Sequence, residues 1–185
     1  MQRRQFLVIA GGIGLGALIP GMTSGRAGAE VSVKRHHEWD VSGAELERLS
    51  RSADDWRELL GKDAWEVLFR EKTERPFSSP LDEEYGDGTY VCAACHLPLF
   101  SSEAKYDSET GWPSFYTAVE GHVDTKLDLK LIWPRTEYHC IRCGGHQGHV
   151  FNDGPDPTGE RWCNNGLALR FIPAGESLPS LRGRS

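Results

Sequence analysis

A chain of 185 residues with 27 acidic against 21 basic side chains has a formal charge of −6 and the size of one domain with short extensions. That balance excludes partners that need a basic face, nucleic acid and anionic membrane surfaces among them. No internal repeat is visible, so one core suffices.

Residues 1–29 differ from the rest. Arg3 and Arg4 precede an apolar, glycine-rich run from Phe6 to Pro20, and no acidic residue occurs before Glu30. The run is too short and too rich in glycine for a stable membrane span, and Ala27-Gly28-Ala29 has the small-x-small pattern of a signal-peptidase site. Arg3-Arg4-Gln5-Phe6-Leu7 resembles a twin-arginine export signal, whose machinery moves folded proteins. Cleavage after Ala29 and a periplasmic or other extracytoplasmic destination are expected, an uncleaved anchor being the alternative. Loss of this segment removes Arg3, Arg4 and Arg26 and no acid, leaving a more acidic chain with no membrane attachment expected.

Residues 30–41, with His36 and His37, carry no periodic pattern and are expected to be a flexible, solvated lead-in. The domain is expected over 42–175, with 176–185 as a tail. Three capping-box patterns open it: Ser42-x-x-Glu45 before Leu46 and Leu49, Ser52-x-x-Asp55 before Trp56, Leu59 and Leu60, and Asp63-x-x-Glu66 around Trp65, Leu68 and Phe69. They predict short helices packed as a lid, with Gly61 as a stop between two of them. After Pro76 and Pro80, the apolar runs Tyr90–Val91, Leu97–Phe100 and Leu129–Trp133, punctuated by Gly, Pro and Asp, predict short β-strands. Arg161 to Phe171 is also expected as a strand. Its period of two places Arg161, Cys163 and Asn165 on one face, and Trp162 and Asn164 on the other. The expected class is mainly β (α+β), antiparallel, with N-terminal helices.

Five cysteines divide into Cys92-x-x-Cys95, Cys140-x-x-Cys143 and Cys163 alone. Two such knuckles suit one tetrahedral Zn²⁺, because a two-residue turn points both thiolates at one ion. Two disulfides are the alternative in an oxidising compartment, although a bridge within C-x-x-C restrains little chain. A thioredoxin-like role is disfavoured, since neither pair lies in a βαβ unit. Cys163 is then an inert buried thiol or a nucleophile. Arg161, two positions away, favours the thiolate, and Asn165 offers a hydrogen-bond donor to developing oxygen charge. Directly after the second knuckle, Gly144-Gly145-His146-Gln147-Gly148-His149 places two imidazoles in a glycine-rich stretch. Such a pair beside a nucleophile can act as general acid; its alternatives are surface exposure and metal ligation, the latter disfavoured while four thiolates fill a zinc site.

The ordered set Thr73-Glu74-Arg75-Pro76-Phe77, Tyr90–Cys95, Gly111-Trp112-Pro113-Ser114-Phe115, Cys140–Phe151, Asp153-Gly154-Pro155, Pro157-Thr158-Gly159 and Arg161–Asn165 resembles the B-type methionine sulfoxide reductase family. The resemblance runs from about Trp56 to Phe171. It implies two antiparallel sheets in a β-tent, a structural zinc on Cys92, Cys95, Cys140 and Cys143, and reduction of methionine R-sulfoxide in peptides. It further implies Cys163 as attacking thiolate, with His146 and His149 serving the departing oxygen. Trp112 and Phe115 are implied for substrate binding, and Asn165, Arg161 and Asp153 for orienting or tuning. Relatives often carry a resolving cysteine where this chain has Thr110, preceded by Glu109 where glycine is usual. The sulfenic acid is therefore expected to need an external thiol or thioredoxin-like partner. Gly166 stands where serine is usual, which removes a hydroxyl. A non-catalytic zinc module, or an iron-bearing electron carrier on the same thiols, is the competing reading.

Overall fold

The computed structural model describes residues 39, 41, 43, 46–129 and 134–183. The expected signal segment, the lead-in with His36 and His37, the Ser42-x-x-Glu45 cap and the end of the Leu129–Trp133 run lie outside the described residues. No helix among the described residues is long and apolar enough to cross a membrane.

Helix α1 spans Ala53–Leu60, and its start is the expected capping box. The Ser52 hydroxyl accepts from Asp55 N–H at 3.1 Å and the Asp55 carboxylate accepts from Ser52 N–H at 3.3 Å. Gly61, at φ 75°, ends α1 and at once starts α2, Lys62–Arg70. The third capping box is therefore corrected: α2 is capped by Gly61 with no side-chain bond, and Asp63 falls in its first turn. The two helices meet through aromatic rings, Trp56 of α1 stacking on Phe69 of α2 with centroids 5.5 Å apart. As a lid, α2 lies on one strand and one turn of the sheet described next. Its Leu68 approaches Gly145 so closely that a Cβ there would lie 2.8 Å from Leu68 Cδ2.

Among the described residues nine strands follow: β1 Gly88–Cys92, β2 Pro98–Ser101, β3 Lys105–Tyr106, β4 Ser114–Phe115, β5 Val123–Asp128, β6 Arg135–Cys140, β7 His146–Phe151, β8 Arg161–Asn164 and β9 Leu169–Pro173. They form two antiparallel sheets, a three-stranded one in the order β2-β1-β9 and a six-stranded one in the order β3-β4-β8-β7-β6-β5. This is the mainly β architecture expected, with two short helices before it.

The single strand expected over Arg161–Phe171 is instead two strands in different sheets. A 3-10 turn at Gly166–Ala168 carries the chain across, held by backbone bonds from Asn165 N–H to Gln147 O and from Ala93 N–H to Ala168 O. Aromatic rings fill the space between the sheets. Phe100 stacks on Phe115 at 4.1 Å, with Tyr90 edge-on to Phe115 and Tyr138 edge-on to Trp162, each at 4.9 Å.

Candidate active site

Register decides which side chains share a face, since residues directly opposed across a sheet point the same way. One row of opposed residues crosses the whole six-stranded sheet: Tyr106, Ser114, Cys163, His149, Glu137 and Lys126. Two residues along each strand, Arg161 faces Phe151 and Arg135 faces Asp128 on that same side. The opposite side carries Phe115, Trp162 and Tyr138 into the core.

His146 and His149 are three apart, so an ideal strand would set them on opposite faces. A register shift between β6 and β7 corrects this, because Tyr138 opposes Gly148 while the next residue, His139, opposes His146. Gln147 is the extra residue of this bulge, and the two imidazoles meet with ring centroids 5.5 Å apart. Gly148 is required beneath them: a Cβ there would collide with the carbonyl oxygen of Cys163.

Cys163 is half-buried, and desolvation pushes its thiol above the ordinary value. The Arg161 charge and the hydroxyls of Thr110 and Ser114 pull in the other direction without prevailing. Arg161 favours the thiolate, as expected, but does not outweigh burial. Arg161 is fixed by a two-pronged bond to Asp153, at 2.8 and 2.9 Å, and lies over the Phe151 ring at 4.2 Å. Asp153 acts on Arg161, not on the thiol. Thr110, at the resolving position, belongs to a hydroxyl chain in which Ser108 contacts both Thr110, at 2.8 Å, and Ser114, at 2.7 Å. Glu109 adopts φ 58°, a left-handed conformation that glycine takes without strain, and its N–H is held by the Asp107 carboxylate at 2.8 Å.

His149 Nε2 lies 3.0 Å from Asp128 Oδ2, and the same oxygen accepts from Arg135 at 2.8 Å. Burial holds the His149 pKa below its usual value despite Asp128. His146 is more deeply buried, and desolvation lowers its pKa to about 4. Its Nδ1 lies 2.6 Å from Glu137 Oε1. Both rings are therefore uncharged near neutral pH.

Three of the expected residues are placed differently from the expectation. Phe115 is fully buried and stacked in the core, because it opposes Trp162 and not Cys163, so it is not a substrate contact. Asn165 lies beyond the end of β8, and its amide is engaged at both ends. It donates to Gln147 O at 2.9 Å and accepts from Glu74 N–H at 3.0 Å, so it braces the backbone. Gly166 leaves no gap: a side chain there would overlap the Ser79 hydroxyl, which fills that space. Trp112 stays half-buried, its indole N–H donating to Glu74 O at 3.2 Å. Glu74 also accepts from Gly166 and Leu167 N–H, at 2.5 and 2.9 Å, and so ties the segment before the strands to the turn after Cys163.

Sequence reasoning assigned no part to Glu74, Asp128, Glu137, His139 or Ser114. Ser114 and Glu74 had a signal, their places within Gly-Trp-Pro-Ser-Phe and Thr-Glu-Arg-Pro-Phe. Asp128, Glu137 and His139 are revealed by register alone.

The four remaining cysteines gather on the core side of the sheet. The two knuckles repeat one backbone pattern, in which the residue four after the first cysteine is left-handed, His96 at φ 65° and Gly144 at φ 71°, and donates its N–H to that cysteine's carbonyl. Cys92 Sγ lies 3.6 Å from Cys143 Sγ, and Cys95 Sγ 3.5 Å from Cys140 Sγ, so none is paired in a disulfide. The four sulfurs lie within 4.8 Å of one another, a set that can bind one metal ion. Bonds from Cys140, Cys143 and Cys92 hold Cys95 low while burial drives Cys92 up. Four buried thiols in contact cannot all ionise without a cation among them, which fits a tetrahedral thiolate site.

Residues 60–173 match the SelR domain. Over 128 residues the chain is 48% identical to the peptide methionine sulfoxide reductase MsrB of Bradyrhizobium diazoefficiens, covering 69% of this chain and 92% of that protein. It is 48% identical over 124 residues to the MsrB of Leptospira interrogans, covering 66% and 95%, and 45% identical over 125 residues to that of Methanosarcina mazei, covering 67% and 89%. The chain belongs to the SelR-domain family of peptide methionine sulfoxide reductases and is an oxidoreductase.

Proposed function

We propose that the chain reduces methionine R-sulfoxide in proteins or peptides through a sulfenic acid on Cys163, repairing oxidative damage. The observation that carries this reading is His149 standing directly opposite Cys163, with the bulge turning His146 to the same face.

Near neutral pH the resting site holds a thiol and two uncharged imidazoles. Relay of the thiol proton through an imidazole to the sulfoxide oxygen makes nucleophile and leaving group together. Cys163 sulfur is oxidised by two electrons and the substrate sulfur is reduced by two. Oxygen passes to Cys163 as sulfenic acid, methionine leaves, and no proton is gained or lost overall. Trp112 packs on the substrate methyl group, while the pinned Arg161 and the Ser114 hydroxyl steady the developing thiolate.

Two external thiols, or one dithiol such as a thioredoxin-like partner, return the sulfenic acid to thiol and release water. This one-cysteine route follows because the other four thiols are buried in their own cluster, where one structural Zn²⁺ is the ion that suits them. Residues 1–29 direct the folded chain out of the cytoplasm through a twin-arginine signal. Replacing Arg3 and Arg4 with lysine should retain it inside, as read by cell fractionation.

A stereospecific assay with R- and S-sulfoxide peptides tests the activity. Turnover of R with a small dithiol, abolished by Cys163→Ser, is expected. A preference for S, or turnover unchanged in Cys163→Ser, would end this reading. Success with the small dithiol but not thioredoxin would point to a different physiological donor.

A further inference from the structure

Glu137 and His139 on β6 have no part in the chemistry above, yet they converge on His146 of β7. Glu137 Oε1 lies 2.6 Å from His146 Nδ1 and 3.0 Å from His139 Nε2. One ligand atom from each of the three lies within 4.8 Å of the others. The side chains of Glu137 and His146 are each only 1% exposed. Despite the short distances, neither oxygen of Glu137 and neither ring nitrogen of His146 makes an aligned hydrogen bond. Burying such groups without aligned partners is costly, so the arrangement is organised for something that accepts their lone pairs.

Among the described residues the Lys126 ammonium lies 3.5 Å from Glu137 Oε2. It is half-exposed and is also bonded to Glu71 at 2.8 Å, so it caps the cluster from outside and does not sit between the three groups. We propose that Glu137, His139 and His146 bind a divalent transition-metal ion at a second position, separate from the four cysteines. Two neutral imidazole nitrogens and one carboxylate oxygen form a borderline donor set that suits Zn²⁺ or Co²⁺ and does not suit Ca²⁺ or Mg²⁺. Three protein ligands leave a fourth place for water or for Glu71, whose carboxylate lies 3.8 Å from His139 Nε2. An ion on Nδ1 of His146 leaves the ring proton on Nε2, fixing the tautomer one strand away from Cys163. The proposal does not depend on the reductase reading, because it is tested by binding.

The test is titration of the full chain, already carrying Zn²⁺ at its cysteines, with Co²⁺. Metal content after desalting and the absorption spectrum are the readouts. A second equivalent with visible bands but no added thiolate-to-metal absorption in the near ultraviolet is expected. Glu137→Gln and His139→Gln should each lose that equivalent while retaining the cysteine-bound ion, which reports that the fold is intact. Lys126→Ala should tighten binding several-fold, a gain that a merely structural network would not produce. The proposal is overturned if the wild-type chain takes up only one ion per chain, if both Gln variants bind the second as well as wild type, or if thiolate absorption accompanies it.

Discussion

Cys163 sits between opposing pulls, and the balance sets its reactivity. Burial raises its pKa, whereas Arg161, Thr110 and Ser114 favour the thiolate without overcoming burial. Alkylation by iodoacetamide, which only the thiolate undergoes, should therefore keep accelerating as pH rises past the ordinary cysteine value of 9.0. Arg161→Ala removes a stabilising charge and should move that profile further upward. A rate that levels off near neutral pH would contradict this account of the thiol. Residue types were the most legible part of the site: a lone cysteine after two C-x-x-C pairs, and two histidines among glycines. Asp128 and Glu137 were not legible, since a carboxylate in an acidic chain signals nothing until register sets it against an imidazole. Phe115 misled for the same reason, because its neighbour Ser114, not Phe115 itself, faces Cys163.

At the scale of elements, the β6–β7 bulge is the feature that turns two histidines three positions apart into a pair. Sequence periodicity has no mark for an inserted residue, and part of the glycine-rich stretch proved to be strand β7. Gly148 holds this arrangement by letting the β8 backbone approach, and Gly148→Ala drives a methyl group into the Cys163 carbonyl. A loss of about 3 kcal/mol or more is expected from such overpacking, measured by urea unfolding, with activity falling as β8 is displaced. A variant as stable and active as wild type would show that β7 and β8 need no such contact. The strand expected over Arg161–Phe171 failed for a related reason. Alternation continues through it, but Glu74 captures the N–H groups of Gly166 and Leu167 and bends the chain into the other sheet. Glu74→Ala leaves those two donors without their carboxylate, at a cost of about 1–3 kcal/mol each where water cannot replace it.

For the whole molecule, the crossing at residues 165–168 and the four-cysteine cluster are two ties between sheets whose facing sides are packed with aromatic rings. Cys92 ends β1 of the three-stranded sheet and Cys140 ends β6 of the six-stranded one, so an ion bound among the thiolates would clamp one sheet to the other. The tail reinforces the first knuckle: His96 Nδ1 lies 3.0 Å from Ser180 O, and Arg182 donates to Ala94 O at 3.0 Å. Structural zinc in thiolate sites contributes about 10 kcal/mol or more, comparable to the entire stability of a domain, so its loss should be global and not local. Chelation under reducing conditions, or Cys95→Ser, is expected to abolish the cooperative thermal transition together with activity, although Cys163 lies on the opposite face of its sheet from the cluster. Restoring Zn²⁺ to the chelated wild-type chain should recover both, which separates metal loss from cysteine oxidation. A metal-free chain that kept the melting temperature of the loaded one would mean that the aromatic core alone holds the sheets together, and that the thiolate clamp serves some purpose other than stability.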